Sequence, residues 1–215
     1  MTRDERRETK SPGIFGYVMA GGGSTRFGKD KALAAFEGKT MLERTVELLR
    51  RVTGEVAVVA PAGRYSLKST RIVADRWPGE GPLGGIITAL LNATEAAAKP
   101  QWALIVSCDM PFLTEEWLRF LTERAPKSEA EVLAPNSLNG PEPLCACWKV
   151  NAERQLEQEF WAGTRKITQA MQAIRTEMLD EQEWKRFDSA GRLFWNMNTA
   201  ADYDEILRVG SEEQP

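Results

Sequence analysis

Short apolar segments alternate with stretches of helical spacing along most of the chain. The first segment, Ile14 to Ala20, is too short for a helix and lies between glycines, so it predicts a buried strand. Comparable segments follow at 55–60, 71–74, 102–107, 130–134 and 144–150. Helical apolar periodicity fills most intervals between them. This alternation predicts an α/β fold with three layers, α/β/α and Rossmann-like, around a mainly parallel central sheet.

The domain organisation follows from where this alternation begins and ends. We predict one domain over residues 14–209, with a charged, flexible N-terminal tail at 1–13 and a C-terminal tail at 210–215. The proline-rich segment 135–143 is interpreted as one long loop, of the kind that builds ligand sites in α/β proteins. After Val150 the sequence turns helical and charged, so this part is expected to pack against the sheet or cap it.

Composition excludes several classes of function. The chain has no histidine, which removes Ser-His-Asp triads, Cys-His dyads and His-ligated metals from consideration. A formal net charge of −3 gives no general attraction to nucleic acid or to an anionic membrane. Cys108, Cys145 and Cys147 are too few for a disulfide scaffold and are expected to fill the core. Without a signal peptide or a long apolar segment, we expect a cytoplasmic protein that binds small molecules.

A glycine-rich segment directly after the first strand carries the strongest functional signal. Residues 19–31 read Met-Ala-Gly-Gly-Gly-Ser-Thr-Arg-Phe-Gly-Lys-Asp-Lys. Glycines here let backbone amides approach phosphate oxygens, while Arg26 and Lys31 would neutralise phosphate charge. A flexible turn with solvated charges is the alternative, but the position after a buried strand favours a phosphate site.

Two familiar phosphate loops are disfavoured by particular residues. The spacing from Gly23 to Lys29 matches a Walker A loop, yet Asp30 stands where that motif needs a hydroxyl for magnesium. The dinucleotide fingerprint fails because Arg26 occupies its third glycine position. Neither a P-loop NTPase nor a Rossmann dehydrogenase is therefore predicted.

The whole segment resembles the signature of nucleotidyltransferases, specifically the molybdenum cofactor guanylyltransferase (MobA) family. That pattern reads Leu-Ala-Gly-Gly, then Ser, Arg, Met-Gly and Asp-Lys at fixed spacing, and here Met19 and Phe27 are apolar exchanges. Related cytidylyltransferases usually carry Pro-Lys where this chain has Asp30 and Lys31, so the resemblance favours the guanylyl branch. It implies the nucleotidyltransferase fold over about residues 14–207.

Three further segments carry the resemblance. Asp75 and the turn Gly81 to Gly85 match residues that contact GTP, although a turn with a helix N-terminus is an alternative reading. Asp109 ends an apolar strand and matches the family's Mg²⁺ ligand, which agrees with the preference of Mg²⁺ for carboxylate and phosphate oxygens. Asn196 and Asn198 match an Asn-x-Asn-Thr-Pro segment assigned here to acceptor binding. Asn198 would also serve as a helix cap.

The resemblance implies roles for particular residues. Arg26, Lys31 and Asp109 are the predicted catalytic residues. The predicted nucleotide-binding residues are Met19, Ala20, Gly21, Gly22, Lys31, Asp75, Gly81, Gly85 and Asp109. The loop 141–144 is assigned to the acceptor side. One departure, Ala60-Pro61-Ala62 where some members place an asparagine, leaves the choice of base open.

The implied reaction is transfer of GMP from MgGTP to molybdenum-loaded molybdopterin, with release of pyrophosphate. Molybdoenzymes or their chaperones are the implied recipients of the product. Two alternatives stay open: transfer of CMP to molybdopterin or of a nucleotide to a sugar or polyol phosphate, and a nucleotide-binding protein without turnover.

Overall fold

The structure is a computed structural model and describes residues 11–21 and 30–212. Its strands are β1 (Ser11–Met19), β2 (Ala35–Phe36), β3 (Lys39–Thr40), β4 (Thr53–Ala60), β5 (Arg71–Ala74), β6 (Trp102–Ser107), β7 (Val132–Ser137), β8 (Gly140–Pro141), β9 (Cys145–Lys149) and β10 (Thr176–Leu179). Its helices are α1 (Met41–Val52), α2 (Pro82–Glu95), α3 (Glu115–Arg124), α4 (Glu153–Trp161), α5 (Ile167–Ala170), α6 (Glu181–Lys185) and α7 (Ala200–Glu212).

The main sheet has eight strands in the order β10-β7-β9-β6-β1-β4-β5, with β8 paired to β7. Strand β1 pairs in parallel with β4 and β6, β5 is parallel to β4, and β10 is parallel to β7. Strand β9 is antiparallel to both β6 and β7. The predicted mainly parallel sheet is therefore confirmed, with β9 as an antiparallel insertion.

Helices cover both faces of the sheet, and each face has its own apolar core. On one side Val18 of β1 packs in a cluster with Leu49 of α1. On the other side the neighbouring Tyr17 packs in a cluster with Ile87 of α2. Successive side chains of a strand point to opposite faces, so a nearly continuous apolar strand needs helices on both sides. This arrangement confirms the three-layer α/β fold.

Local sequence signals explain where the first helices begin. Thr40 and Glu43 form a capping box at α1, and the Thr114 side chain accepts a hydrogen bond from the Trp117 amide at the start of α3. Helix α2 starts at Pro82, directly after Gly81, whose φ of +92° and ψ of 175° suit glycine alone.

The prediction of one long loop over 135–143 is wrong. Strand β7 extends to Ser137 and turns through Gly140, at φ +106°, into β8. Glycine supplies the positive φ that this tight turn needs, so the segment forms a short hairpin. Strand β1 also begins at Ser11, ahead of the predicted start at Ile14.

Two expectations about apolar residues can be compared with the structure. Cys108, Cys145 and Cys147 are buried and unpaired, as predicted for core residues. Within residues 11–21 and 30–212, none of the helices has the length and apolar character to cross a membrane.

Candidate active site

The predicted site residues meet at the carboxyl edge of the parallel strands. Lys31 begins a 3₁₀ turn that ends at Leu33 and extends its ammonium group between two other segments. Its Nζ donates a hydrogen bond to Asn198 Oδ1 at 2.9 Å and lies 3.8 Å from Asp109 Oδ2. The Lys31 and Asp109 side chains are each 19% exposed. Three distant sequence segments therefore converge on one ammonium group.

Asp109 is fixed in position by short contacts around the end of β6. The Ser107 hydroxyl donates to Asp109 Oδ1 at 2.5 Å, and the Asp109 carbonyl accepts from the Met197 amide at 2.9 Å. The Cys108 amide donates to the Met19 carbonyl at 3.2 Å, which ties this turn to the end of β1. The carboxylate is thus held at the sheet edge, as expected for a ligand delivered by a strand.

The segment before α7 shows which of two predicted roles, helix capping or ligand binding, is open to the Asn198 side chain. Thr199 Oγ1 accepts from the Asp202 amide, and Asp202 Oδ2 accepts from the Asn198 and Thr199 amides. Burial acts to raise the pKa of Asp202, but these hydrogen bonds outweigh it and hold the pKa below its usual value. Thr199 therefore supplies the side-chain cap, and the Asn198 side chain accepts from Lys31 instead. Asn196 Nδ2 donates to the Phe194 carbonyl at 3.1 Å.

Asp75 lies beside the start of the glycine-rich segment. Its Oδ1 accepts from the Trp77 amide at 3.0 Å and from Thr88 Oγ1 at 3.3 Å. A Cβ placed on Gly21 would lie 3.7 Å from Asp75 Oδ2. The structure therefore brings the second predicted motif against the first.

Two glycines in the first turn of α2 allow close packing, Gly85 against β1 and Gly84 against Trp77. A Cβ on Gly85 would overlap the Met19 methyl group, and one on Gly84 would lie 3.2 Å from Trp77 Cβ. Met19 and Ala20 are both buried. Gly22 and Arg26 lie outside the described residues, and their roles stay predictions.

A pocket of about 360 Å³ opens next to Asn198. Its lining includes the Asn139 side of the β7–β8 hairpin, the predicted acceptor residue Asn196, and Trp195. Asp202 and Glu205 line the α7 side of the pocket. The two predicted acceptor residues thus share one concave surface that borders Lys31.

Glu142, in the loop assigned to the acceptor side, is half-buried. Burial raises the pKa of this carboxyl, a hydrogen bond from Ser137 opposes the increase, and the charge of Asp109 adds to it. The Ser137 hydroxyl lies 2.7 Å from Glu142 Oε1. The Ser107 amide donates to the Leu144 carbonyl at 2.7 Å, which places the 141–144 loop beside the end of β6 that carries Asp109.

Sequence reasoning missed Arg64 and Tyr65, which contact Asp30 from the loop after β4. Arg64 Nη2 lies 2.9 Å from Asp30 Oδ2, and the Tyr65 hydroxyl lies 2.9 Å from Oδ1 and 2.8 Å from Oδ2. The sequence contains no local motif at these positions, and more than thirty residues separate them from Asp30. Only the pairing of β1 with β4 brings the two loops together.

Comparisons with known proteins agree with this arrangement. The family model for the MobA-like NTP transferase domain matches residues 16–178. The chain is 34% identical to a probable molybdenum cofactor guanylyltransferase from Chloroflexus aggregans, over 88% of this chain and 91% of that protein. A protein of the same description from Deinococcus radiodurans is 32% identical, over 91% and 94%.

A solved structure supports the same fold. Molybdopterin-guanine dinucleotide biosynthesis protein A from Archaeoglobus fulgidus superposes with a TM-score of 0.78 at 24% identity. The match covers 92% of this chain and 99% of that one. The expected nucleotidyltransferase fold is thereby confirmed.

Proposed function

The chain belongs to the MobA-like NTP transferase family and is a nucleotidyltransferase, and from this premise we propose that it transfers GMP from GTP to molybdenum-loaded molybdopterin. An oxygen of the acceptor's terminal phosphate forms a bond to the α-phosphorus of GTP. The bond between the α-phosphorus and its bridging oxygen breaks, and pyrophosphate leaves. The product is a guanine dinucleotide form of the cofactor.

The observation that carries the proposal is the convergence of Lys31, Asp109 and Asn198. Lys31 follows the glycine-rich segment, Asp109 ends β6, and Asn198 precedes α7. A cation between a carboxylate and an amide suits a site where a triphosphate meets a second phosphate. We assign Lys31 to the phosphates, together with Arg26 and the amides of Gly21 and Gly22.

This chemistry needs no histidine. A phosphate monoester is already ionised at neutral pH, so its attack on the α-phosphorus requires no general base. Catalysis then depends on in-line placement and on neutralising charge, which Lys31 and Arg26 supply in the proposal. The reaction thus fits a chain that contains no imidazole.

The donor set suits a magnesium ion. Enzymes of this family generally use a divalent metal. Among the described residues, no group of three or more Asp, Glu, Cys or His side chains could form a protein cage for one. Asp109 offers a hard carboxylate at a partly exposed strand end, and Mg²⁺ prefers one or two carboxylates with phosphate oxygens and water. Mg²⁺ held by Asp109 would neutralise charge on the phosphates.

The remaining predicted residues divide between the two substrates. Asp75, Gly81 and Gly85 lie around the start of α2, and we assign them to the nucleotide. The pocket beside Asn196 and Asn198 is assigned to the acceptor, because Asn198 in its lining contacts Lys31 and the other lining residues come from the β7–β8 hairpin, the segment before α7 and α7 itself. We further propose that the enzyme acts in the cytoplasm and that molybdoenzymes or their chaperones receive its product.

A specific observation keeps CTP as the competing nucleotide. Pro61 lies near Gly21, with Pro61 Cδ 4.0 Å from a Cβ placed on that glycine, and proline has no amide donor to offer a base. Some family members carry an asparagine in this region, which would help to select guanine. Turnover with each of the four nucleoside triphosphates in turn tests the choice of base.

The acceptor is tested by omission and replacement. Purified protein with GTP and Mg²⁺ is incubated with molybdenum-loaded molybdopterin, with a sugar 1-phosphate, with a polyol phosphate, or with no acceptor. We expect pyrophosphate only with molybdopterin, in equal amount to a pterin dinucleotide identified by its mass. Turnover with a sugar or polyol phosphate, and none with molybdopterin, would overturn the assignment.

A further inference from the structure

The carboxylate of Asp30 joins the glycine-rich segment to the loop between β4 and β5. Arg64 donates to Asp30 Oδ2 through Nε at 3.0 Å and holds Nη2 2.9 Å away. The Tyr65 hydroxyl lies within 2.9 Å of both carboxylate oxygens. The Ala32 amide donates to Oδ1 at 3.1 Å. Asp30 therefore has partners on both loops.

The same carboxylate begins the turn that carries Lys31. Asp30 caps the 3₁₀ turn through the Ala32 amide, and its carbonyl accepts from the Leu33 amide at 3.0 Å. The orientation of this turn decides where the Lys31 side chain points. Any group that fixes the Asp30 carboxylate thus fixes the base of the Lys31 side chain.

We propose that Arg64 and Tyr65 are positioning residues for the transfer reaction, which hold Lys31 in place through Asp30. The proposal rests on the proposed function only in assigning Lys31 to the phosphates. Among the described residues, both side chains hydrogen-bond to Asp30, and the Arg64 guanidinium lies 5.4 Å from the centre of the Tyr65 ring. In this arrangement neither residue needs to contact a substrate.

Charge supports this arrangement. An unpaired Asp30 carboxylate next to Lys31 would repel a bound triphosphate, and the Arg64 guanidinium neutralises it. Burial and the hydrogen bond to Asp30 raise the pKa of Tyr65 well above its usual range. Tyr65 therefore remains a hydrogen-bond donor at every pH at which the enzyme would be assayed.

The test measures whether Arg64 and Tyr65 act through Lys31. Arg64→Gln and Tyr65→Phe are made in the wild type and in a Lys31→Ala background, and each protein is titrated with MgGTP by calorimetry. Tyr65→Phe removes only a hydroxyl, so this variant is expected to fold normally even if Arg64→Gln does not. Thermal unfolding of each variant checks that it is folded. Arg50→Gln is the matched control, because Arg50 contacts Ser69 and Thr70 of the same loop but not Asp30.

We expect each variant to weaken MgGTP binding about 10-fold or more in the wild type, the usual range for a charge-assisted hydrogen bond. In the Lys31→Ala background we expect less than about a twofold effect of Tyr65→Phe, since the residue through which it acts is gone. Arg64→Gln should have a smaller effect there than in the wild type, since only the repulsion between Asp30 and the triphosphate then remains. Arg64→Lys should recover part of the loss, and Arg50→Gln should leave binding unchanged.

Equal losses in both backgrounds would overturn the proposal, because they would show that Arg64 contacts the nucleotide directly or supports the fold alone. Losses of the same size in Arg50→Gln would also overturn it. The measurement uses no acceptor, so it is independent of whether molybdopterin is the substrate. If another nucleoside triphosphate binds more tightly than GTP, the same set of single and double variants is titrated with that nucleotide.

Discussion

Lys31 is the side chain on which the proposed chemistry depends most. It contacts residues from two of the three other motif segments, and it is one of two cations assigned to the phosphates. Its neighbour Asp109 carries the opposite charge and the proposed metal. Loss of either group removes an electrostatic contact that strengthens as charge develops in the transition state.

Replacing either residue should therefore nearly abolish turnover. We expect Lys31→Ala and Asp109→Ala each to lower kcat by about 10² to 10³ with little change in thermal stability. Pyrophosphate release with GTP and molybdopterin measures the effect. Lys39→Ala is the control, because Lys39 is an exposed lysine paired with Glu47 away from the site. Retention of more than half of the wild-type rate in either variant would refute the assignment.

At the scale of elements, the close contact between β1 and α1 depends on one glycine. A Cβ on Gly16 would lie 2.9 Å from Thr53 Oγ1 and 3.1 Å from Leu49 Cδ2. Both neighbours are buried in the sheet and the helix that covers it. Leu49 Cβ lies only 3.3 Å from the same position, and the Thr53 hydroxyl donates to the Leu49 carbonyl at 2.8 Å, so an added methyl group must displace packed elements.

Gly16→Ala should destabilise the protein, whereas Gly13→Ala should not. We expect the free energy of unfolding to fall by about 1–3 kcal/mol for Gly16→Ala, the usual cost of overpacking. Gly13 lies in the same strand with no atom within 4 Å of its Cβ position, so it is the matched control. Urea denaturation measures both. Equal stability of the two variants would contradict this view of the β1–α1 interface.

The loop before β9 should give stability a pH dependence. Burial raises the pKa of Glu142 above its ordinary value of 4.5. Its stabilising contribution is therefore complete below the unfolded-state pKa and is lost as pH rises through the folded-state pKa. We expect wild type to lose stability relative to Glu142→Gln as pH increases from about 4 to 7, measured by urea denaturation.

Glu123→Gln, an exposed carboxylate on α3, is the control for that experiment. It removes one negative charge without touching the loop. Stability curves of wild type and Glu142→Gln that stay parallel over the whole pH range would contradict the prediction.

The secondary-structure elements differ in how well the sequence predicts them. Apolar strands such as β1 and β6 are predicted because both faces are buried, which leaves a continuous apolar run. Strand β10 is missed, since its sequence Thr-Glu-Met-Leu lies at the sheet edge and needs few apolar residues. The β7–β8 hairpin is missed because its prolines suggest a loop, while the Gly140 turn that closes it is a single residue.

At the scale of the whole molecule, the sequence predicts the α/β class, and the motifs predict which segments should meet. The contact of Lys31 with Asn198 joins residues 167 positions apart, and only the resemblance to a family suggested it. Neither the resemblance nor any sequence motif suggested the contacts of Asp30 with Arg64 and Tyr65. They depend on which loops the parallel order β6-β1-β4 places side by side, which no local pattern encodes.

The central claim is that guanine, delivered as GTP, is joined to molybdopterin. The most direct measurement incubates the protein, Mg²⁺ and molybdenum-loaded molybdopterin with GTP, CTP, ATP or UTP in separate reactions. Pyrophosphate release and the mass of the pterin dinucleotide are recorded for each. The account predicts product with GTP alone. Strong turnover with CTP would move the enzyme to the cytidylyl branch, and tight nucleotide binding without product from any of the four would contradict the proposed reaction.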